Sequence, residues 1–526
     1  MKRILITEPF AQEAVELLQK EGFEVVVRID PPEEELAEII SDFDGLIVRS
    51  KTRVNSRIIT AGKRLRIIGR AGVGMDNVDV ETATRQGIIA MNAPDANTIS
   101  TAELTMLFII ALSRNFYQAV SSTKNGKWEK SKLRGSELYK KTLGIIGLGR
   151  IGSEVAKRAI SFGMEVIAYD PFVSPDRERQ LNIRLLDLDQ ILGKSDYITL
   201  HLSLTKESYH MIGKEAFGKM KDGVRIINCA RGGLIDEEAL YEAVSDGKVA
   251  GCGLDVFEKE PPGNTPLLSL DGVIASPHLG ASTAEAQKNV SLQMARQFKN
   301  ALQDGIIDNS VNCPHVDSAV LARIGPYLDM SEKLGSFLCQ VTGENIESAE
   351  ITCTVDIAEY HARLFTLSFL KGLLSCTVPE YVNYVNSLVV ARERGIRVTE
   401  KKSSHPDDFP GIIKAEITTA GSSRSISGTI FGKDDPRIVS IDGYRVDVSP
   451  KGCLLFCINS DKPGAVAHIS SVLTGAGINI AGMTVGRKEA GGEALTVLNI
   501  DSRTSQEVLA RIKENPVIRK AYLVEL

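Results

Sequence analysis

The stretch from Thr142 to Asp170, TLGIIGLGRIGSEVAKRAISFGMEVIAYD, decides the fold. A short apolar run, LGII, enters a glycine turn, Gly147-x-Gly149-x-x-Gly152. Apolar positions at helical spacing follow (Val155, Ala156, Ala159, Ile160), and a second apolar run, VIAY, ends on Asp170. Strand, turn, helix and strand in that order make a dinucleotide-binding unit, and each part has a physical reason. Gly147 permits the tight turn, Gly149 lets the backbone approach a pyrophosphate, and Gly152 lets helix and strand pack closely. The helix N-terminus offers unpaired N–H groups and the positive end of its dipole to phosphates. Asp170 lies 18 residues beyond Gly152, where a carboxylate accepts hydrogen bonds from an adenosine ribose. Its charge repels a 2′-phosphate, so NAD is favoured over NADP.

A second glycine turn, Gly72-Val73-Gly74, also follows an apolar run, but the next strand-like run, GIIAMN, ends on Asn92 and not on an acid. That turn is read as a substrate loop. At 526 residues the chain exceeds one hydrophobic core, so three or four domains are expected. Apolar content of 43% and charged content of 25% are those of a soluble globular protein. The net charge of −5, without a basic tail or cluster, excludes nucleic acid as the expected partner. The longest apolar run, LTMLFIIAL (104–112), is about half a membrane span and follows a helix-start signal, Ser100-x-x-Glu103, so a buried helix is expected. The N-terminus, MKRILITEPF, reads as a strand and not as a signal peptide. Eight cysteines lack Cys-x-x-Cys spacing and seven histidines form no ligand pattern, which points to reduced thiols in the cytoplasm and no metal.

Residues 1–97 alternate short apolar strands with helical patterns, as a parallel α/β sheet requires, and 98–282 repeat that texture around the glycine fingerprint. Residues 283–314 read as a return crossing that completes the first lobe. The fold class expected is therefore α/β, two doubly wound parallel-sheet lobes with a cleft between them, because open parallel sheets bind ligands at the carboxyl ends of their strands. Residues 315–450 mix helices with alternating strands in an α+β block that carries no phosphate loop. The block 451–526 has the order strand, helix, strand, strand, helix, strand, which is ferredoxin-like.

Three polar residues stand at strand ends or in the loops after them: Arg231 in NCARGG, Glu260 in FEKEPP and His278 in SPHLGAS. Hydride removal from a secondary alcohol needs a base for the hydroxyl proton, and imidazole titrates in the right range. A carboxylate beside it fixes its tautomer and stabilises the imidazolium. A guanidinium binds a substrate carboxylate bidentately and polarises the neighbouring oxygen. Taken singly, each has an ordinary structural reading: a satisfied histidine, a solvated acid, a helix-cap arginine.

These segments, with GLGRIG…YD, NCARGGLIDEEAL, LDVFEKEPP, SPHLGAST and GRAGVGMDN, resemble the D-2-hydroxyacid dehydrogenase family, and the likeness covers essentially the whole chain. The C-terminal block narrows it to the long-form members that oxidise 3-phosphoglycerate on the way to L-serine. The resemblance implies that His278 is the general acid/base, Glu260 its partner and Arg231 the residue that binds and polarises substrate. For NAD it implies Arg150 and Ile151 at the pyrophosphate turn and Cys229, Ala230 and Arg231 along one cleft edge. Asp255 and the loop His278, Leu279, Gly280 and Ala281 are placed near the carboxamide, with Val73 and Leu202 facing the cofactor. Leu202 departs from the small polar residue common there, so only a backbone contact is expected of it.

Substrate phosphate is expected at Arg49 and Ser50 and at Arg70, with an anion nest formed by the backbone of Gly72 and Gly74; the bland alternative is interdomain salt bridges. Trp128 reads as a dimer contact or an ordinary core tryptophan. The C-terminal block resembles an ACT domain, whose effector residues would be Asn459, Asp461, Gly464 and Asn479, with L-serine as the implied ligand and a homodimer or homotetramer as the implied assembly. Asn459 departs from the His or Tyr of some relatives. Arg437 and Arg445 are the anion candidates of 315–450. The rival readings are a dehydrogenase for glyoxylate, hydroxypyruvate or 2-hydroxyglutarate, which would not need the phosphate-facing cations, and a nucleotide-sensing binding protein similar to dehydrogenase-derived corepressors.

Overall fold

The computed structural model describes residues 1–526 except 175, 315–317, 343–344, 355–361, 377–381, 404–408, 410 and 433. The expected boundary at 315 falls outside the described residues. In the first sheet Glu24–Val27, Arg3–Ile6, Gly45–Val48, Ile67–Arg70 and Ile89–Asn92 lie side by side in that order, all parallel. A parallel sheet is covered on both faces, which is why Gly45–Val48 is buried at every position. Helix Ala284–Lys299 returns from far along the chain to cover one face. Gly45 and Gly69 leave room for it: a Cβ on Gly69 would stand 2.3 Å from the Phe298 ring. Asn312 then ties the segment after that helix to the sheet edge, accepting from Ala90 N at 2.9 Å and donating to Ile88 O at 2.9 Å.

The second sheet runs Val273–Ala275, Val249–Leu254, Val224–Asn228, Tyr197–Leu200, Thr142–Ile146, Glu165–Tyr169 and Arg184–Leu185, again all parallel. Its strand order reverses between Thr142–Ile146 and Tyr197–Leu200, so a crevice opens at their carboxyl ends. The apolar run 104–112 lies in helix Thr98–Ser113, with Phe108 packed over Gly253. That helix starts two residues before the expected Ser100 cap. The Ser100 hydroxyl donates instead to Gly280 O at 2.7 Å, so a tertiary contact outranks the local capping pattern. Among the described residues no helix is long and apolar enough to cross a membrane.

The third sheet orders Arg397–Ser403, Ile346–Thr354, Ile412–Thr419, Ser422–Phe431, Asp435–Ile441 and Tyr444–Val448, parallel in its first pair and antiparallel in the rest. Helices Ser318–Thr342 and Ala362–Leu374 pack against it. The last sheet is antiparallel, in the order Ile480–Arg487, Glu493–Ile500, Cys453–Ser460 and Ile518–Glu525, with helices Ala465–Gly475 and Gln506–Lys513 between its strands in sequence. This is the ferredoxin-like arrangement that the sequence order predicts. Its core joins that of the third sheet, where Phe337 and Phe456 meet edge to face at 5.7 Å.

Candidate active site

Between the two parallel sheets lies a cleft of about 870 Å³, lined from one side by Arg49, Arg70 and the Gly72–Gly74 turn and from the other by Arg231, Glu260 and His278. Asp255, at the end of strand Val249–Leu254, organises the far wall. Its carboxylate is fully buried and accepts from Ser276 Oγ at 2.5 Å, Leu279 N at 2.6 Å and Gly280 N at 2.8 Å. Those bonds hold His278 at φ 55°, a left-handed conformation uncommon for a residue with a side chain. The half-exposed imidazole places Nδ1 2.8 Å from Glu260 Oε2, while Glu260 Oε1 accepts from Phe257 N at 3.2 Å. With Nδ1 donating to the carboxylate, Nε2 carries the free lone pair, the state a general base needs.

Facing loops supply the cations. The buried carboxylate of Glu8 accepts from the backbone of Arg49 (2.7 Å), Lys51 (3.2 Å) and Thr52 (3.0 Å), fixing the loop after strand Gly45–Val48. Arg231 donates to Ala230 O at 2.7 Å and lies 3.6 Å from Asp76, an exposed acid that the sequence reading passed over. The turn glycines make berths for guanidinium groups. A Cβ on Gly72 would sit 2.3 Å from Arg70 Nη1, and one on Gly74 2.3 Å from Arg231 Nη2. Gly72 N donates to Arg70 O at 2.8 Å, and the missing side chains of both glycines admit these cations. Among the described residues neither Arg49 nor Arg70 has a carboxylate within ion-pair distance, and the buried Nε of Arg70 has no partner. Burial first, then the Arg231 charge, holds the Arg70 guanidinium below its ordinary pKa, with Asp76 and Glu8 acting the other way. The three guanidinium groups outnumber the neighbouring carboxylates Asp76 and Glu8, and that excess of positive charge suits an anion.

The residues present fit a dinucleotide. A Cβ on Gly149 would meet nothing within 4 Å, leaving the turn open to a ligand, whereas one on Gly152 would fall 2.1 Å from Gly147 O. Gly147 itself has φ 97° and abuts His201 O. No side chain caps helix Arg150–Ser161, so its first-turn N–H groups face outward for phosphate. Asp170 accepts from Leu148 N at 2.8 Å and Phe172 N at 3.0 Å, which ties acid to turn, and each carboxylate oxygen keeps acceptor capacity for a ribose. Val73, Ile151, Leu202, Cys229, Ala230, Gly280 and Ala281 line the cleft. Burial pushes the Cys229 thiol up to about 12, which leaves it a wall and not a nucleophile.

Two side chains of the expected cofactor residues turn away from the cleft. The Arg150 side chain turns to Asp95, 2.5 Å away, and is not in the cleft wall. Leu279 points its side chain outward, 42% exposed, and contributes only its N–H, to Asp255. Sequence reasoning also missed His201, at the mouth of the crevice. Its Nε2 lies 3.0 Å from Thr199 Oγ1, its Nδ1 is shielded and unpartnered, and burial pushes its pKa down to about 3. The strand end YITLHL carried the signal, since strand ends face the crevice. His210, Asp236 and Glu258 come from three separate loops and bring ligating atoms within 4.8 Å of one another, a grouping no spacing could reveal.

Outside the cleft, Trp128 is 85% exposed, which removes the reading as a core tryptophan. Asn459 is 2% exposed and accepts from Thr496 Oγ1 at 2.9 Å, so its side chain holds two strands together. Asp461 binds Gly491 N at 2.9 Å and Arg487 at 3.3 Å, Asn479 donates to Asp501 at 2.7 Å, and Gly464 begins helix Ala465–Gly475 at φ 99°. Arg437 is paired with Asp435 (2.9 Å) and Asp447 (3.3 Å). Arg445 also takes part in an interaction and is not a free cation.

Comparison with known proteins agrees with this layout. Residues 106–280 match the NAD-binding domain of D-isomer-specific 2-hydroxyacid dehydrogenases, 323–442 the D-3-phosphoglycerate dehydrogenase intervening domain, and 454–517 the ACT domain. The D-3-phosphoglycerate dehydrogenase of Methanocaldococcus jannaschii is 43% identical over 100% of both chains, and that of Bacillus subtilis 39% identical over 100% of both. Among solved structures, D-lactate dehydrogenase from Aquifex aeolicus, complexed with NAD and lactic acid, is 30% identical with a TM-score of 0.52, covering 60% of this chain and 100% of that one. The NAD-bound 3-phosphoglycerate dehydrogenase of Entamoeba histolytica is 32% identical with a TM-score of 0.51, covering 59% and 98%.

Proposed function

The chain belongs to the D-3-phosphoglycerate dehydrogenase family, and on that premise we propose that its cleft oxidises D-3-phosphoglycerate to 3-phosphooxypyruvate, the entry step to phosphorylated L-serine synthesis. NAD, when bound, supplies the hydride acceptor. Arg231 holds the substrate carboxylate and polarises the C2 oxygen. His278 takes the hydroxyl proton at Nε2, and Glu260, 2.8 Å from Nδ1, stabilises the imidazolium that results. Arg49 and Arg70 hold the phosphate. Asp170 and the Gly147–Gly152 turn hold the cofactor, and the Asp170 charge disfavours a 2′-phosphate.

The observation that carries this reading is the group of cations Arg49, Arg70 and Arg231 lining the same cleft as the His278–Glu260 pair. A substrate with one anionic group needs Arg231 alone; a carboxylate and a phosphate together account for all three. Residues 1–97 with 283–314 act as the substrate lobe, 98–282 as the NAD lobe, 315–450 as the intervening domain and 451–526 as an effector domain for L-serine. The exposed Trp128 and the ACT sheet serve a homo-oligomer, and the protein works in the cytoplasm. Initial rates of NADH formation with 3-phosphoglycerate, glycerate, lactate and 2-hydroxyglutarate test the proposal. Two lost charge-assisted contacts imply a preference for the phosphorylated substrate over glycerate of at least roughly 100-fold in kcat/KM. Equal turnover of glycerate would refute the assignment of Arg49 and Arg70.

A further inference from the structure

Two thiols far from the cleft meet across helices Ser318–Thr342 and Ala362–Leu374. The helices run parallel, because later residues of one meet later residues of the other. Ser331 Oγ donates to Phe365 O at 2.7 Å, and further on Gly335 faces Phe369 and Leu373. Their backbones touch at two glycines. A Cβ on Gly335 would fall 2.1 Å from Phe369 O, and one on Gly372 would fall 1.9 Å from Glu332 O. Cys339 stands four residues beyond Gly335, and Cys376 four beyond Gly372. The register that joins the glycines therefore brings the cysteines together as interacting neighbours. Cys339 is buried, whereas Cys376 is the one exposed thiol of the eight.

We infer that Cys376 and Cys339 form a reversible redox pair, Cys376 reacting with a hydroperoxide and Cys339 closing the disulfide. The Cys376 sulfur attacks one oxygen of hydrogen peroxide, the O–O bond breaks, and the departing oxygen leaves as water with the thiol proton. Cys339 then attacks the sulfur of the sulfenic acid so formed, and its own proton departs with the hydroxyl as a second water. Two thiols lose two protons and two electrons, and one peroxide is reduced to two waters. A dithiol reverses the reaction.

The surroundings favour Cys376 as the thiol that reacts first. A hydrogen bond from Cys339, opposed by partial burial and aided by Ser375, holds its pKa below the usual thiol value. Burial instead pushes Cys252, Cys353 and Cys457 up to about 12, which keeps them protonated. The helix backbones are in contact one turn away, at Gly335 and Gly372, which keeps the two cysteine sites close.

The test uses the full-length protein, treated with a few equivalents of hydrogen peroxide, alkylated, digested without reductant and mapped by mass spectrometry. A cross-linked peptide containing Cys339 and Cys376 should appear, and free thiols should fall from eight to six and recover with dithiothreitol. Cys376→Ser should abolish the cross-link. Cys339→Ala should leave a sulfenic acid on Cys376 that dimedone captures. If the alanine variant does not fold, the serine variant at the exposed position decides alone. Oxidation of Cys376 no faster than that of half-buried Cys453, or stepwise oxidation to sulfonic acid with Cys339 still free in the unmodified chain, overturns the inference.

Discussion

Arg70 has no ion-pair partner among the described residues, and the proposed function gives it the substrate phosphate as its anion. A hydrogen bond to a charged group contributes about 1.5–3 kcal/mol, and 1.4 kcal/mol is tenfold in binding. Arg70→Met should therefore raise KM for 3-phosphoglycerate about 10- to 100-fold and leave KM for NAD unchanged in steady-state assays. Inorganic phosphate should raise the Tm of the parent protein and not of the variant. His201 bears on stability. Its pKa of about 3 lies below the ordinary 6.5, so the unfolded chain binds a proton that the folded one refuses. Stability is intact above about pH 6.5 and is lost as pH falls toward 3, by up to about 1.4 kcal/mol per pH unit. In urea melts at about pH 7 and pH 5, His201→Asn should lose less stability on acidification than its parent; an equal loss would count against the shift. Arg231, Glu260 and His278 were legible in the sequence because each stands in a local motif at a strand end. Asp76, His201 and the turning of Arg150 to Asp95 were not, because those partners are distant in the chain or set by burial.

The Asp255 carboxylate, with Ser100 and Thr101 on Gly280 O, holds the loop that carries His278. Asp255 accepts three hydrogen bonds from it, so Asp255→Asn sets an amide N–H against those donors. We expect a loss of about 2–4 kcal/mol in urea unfolding, together with a fall in kcat, although no catalytic side chain is removed. Unchanged unfolding would mean that another element positions the loop. At this scale the sequence was readable where one period dominates: apolar runs gave the parallel strands, and the glycine fingerprint gave the nucleotide crevice. It misled where a local pattern competes with a tertiary contact. Ser100 looks like a helix cap and instead bonds Gly280, and nothing local showed that Arg70 and Arg231 pack against Gly72 and Gly74.

At the scale of the whole molecule, the two joins of the C-terminal half differ in kind. The unit around the third sheet meets the lobe of the first sheet through polar contacts, Asn383 donating to Gly87 O at 2.8 Å and Arg85 lying 3.5 Å from Glu393. It shares an apolar core with the last sheet, through Phe337, Phe456, Leu495 and Val524. A chain ending at residue 314 should thus stay folded, with kcat within roughly threefold of the parent. One ending at residue 450 should expose that shared core and aggregate on size-exclusion chromatography. A folded, monodisperse 1–450 chain would contradict the single-core description. The order of four sheets could be read from the sequence, but which cores merge could not, because it depends on faces that meet only after folding. The most direct test of the central claim is a crystal structure of the protein with NAD and D-3-phosphoglycerate. The account predicts His278 Nε2 at hydrogen-bond distance from the C2 hydroxyl, Arg231 on the carboxylate, and Arg49 and Arg70 on the phosphate. A substrate bound with its hydroxyl out of reach of His278, or its phosphate in solvent, would contradict it.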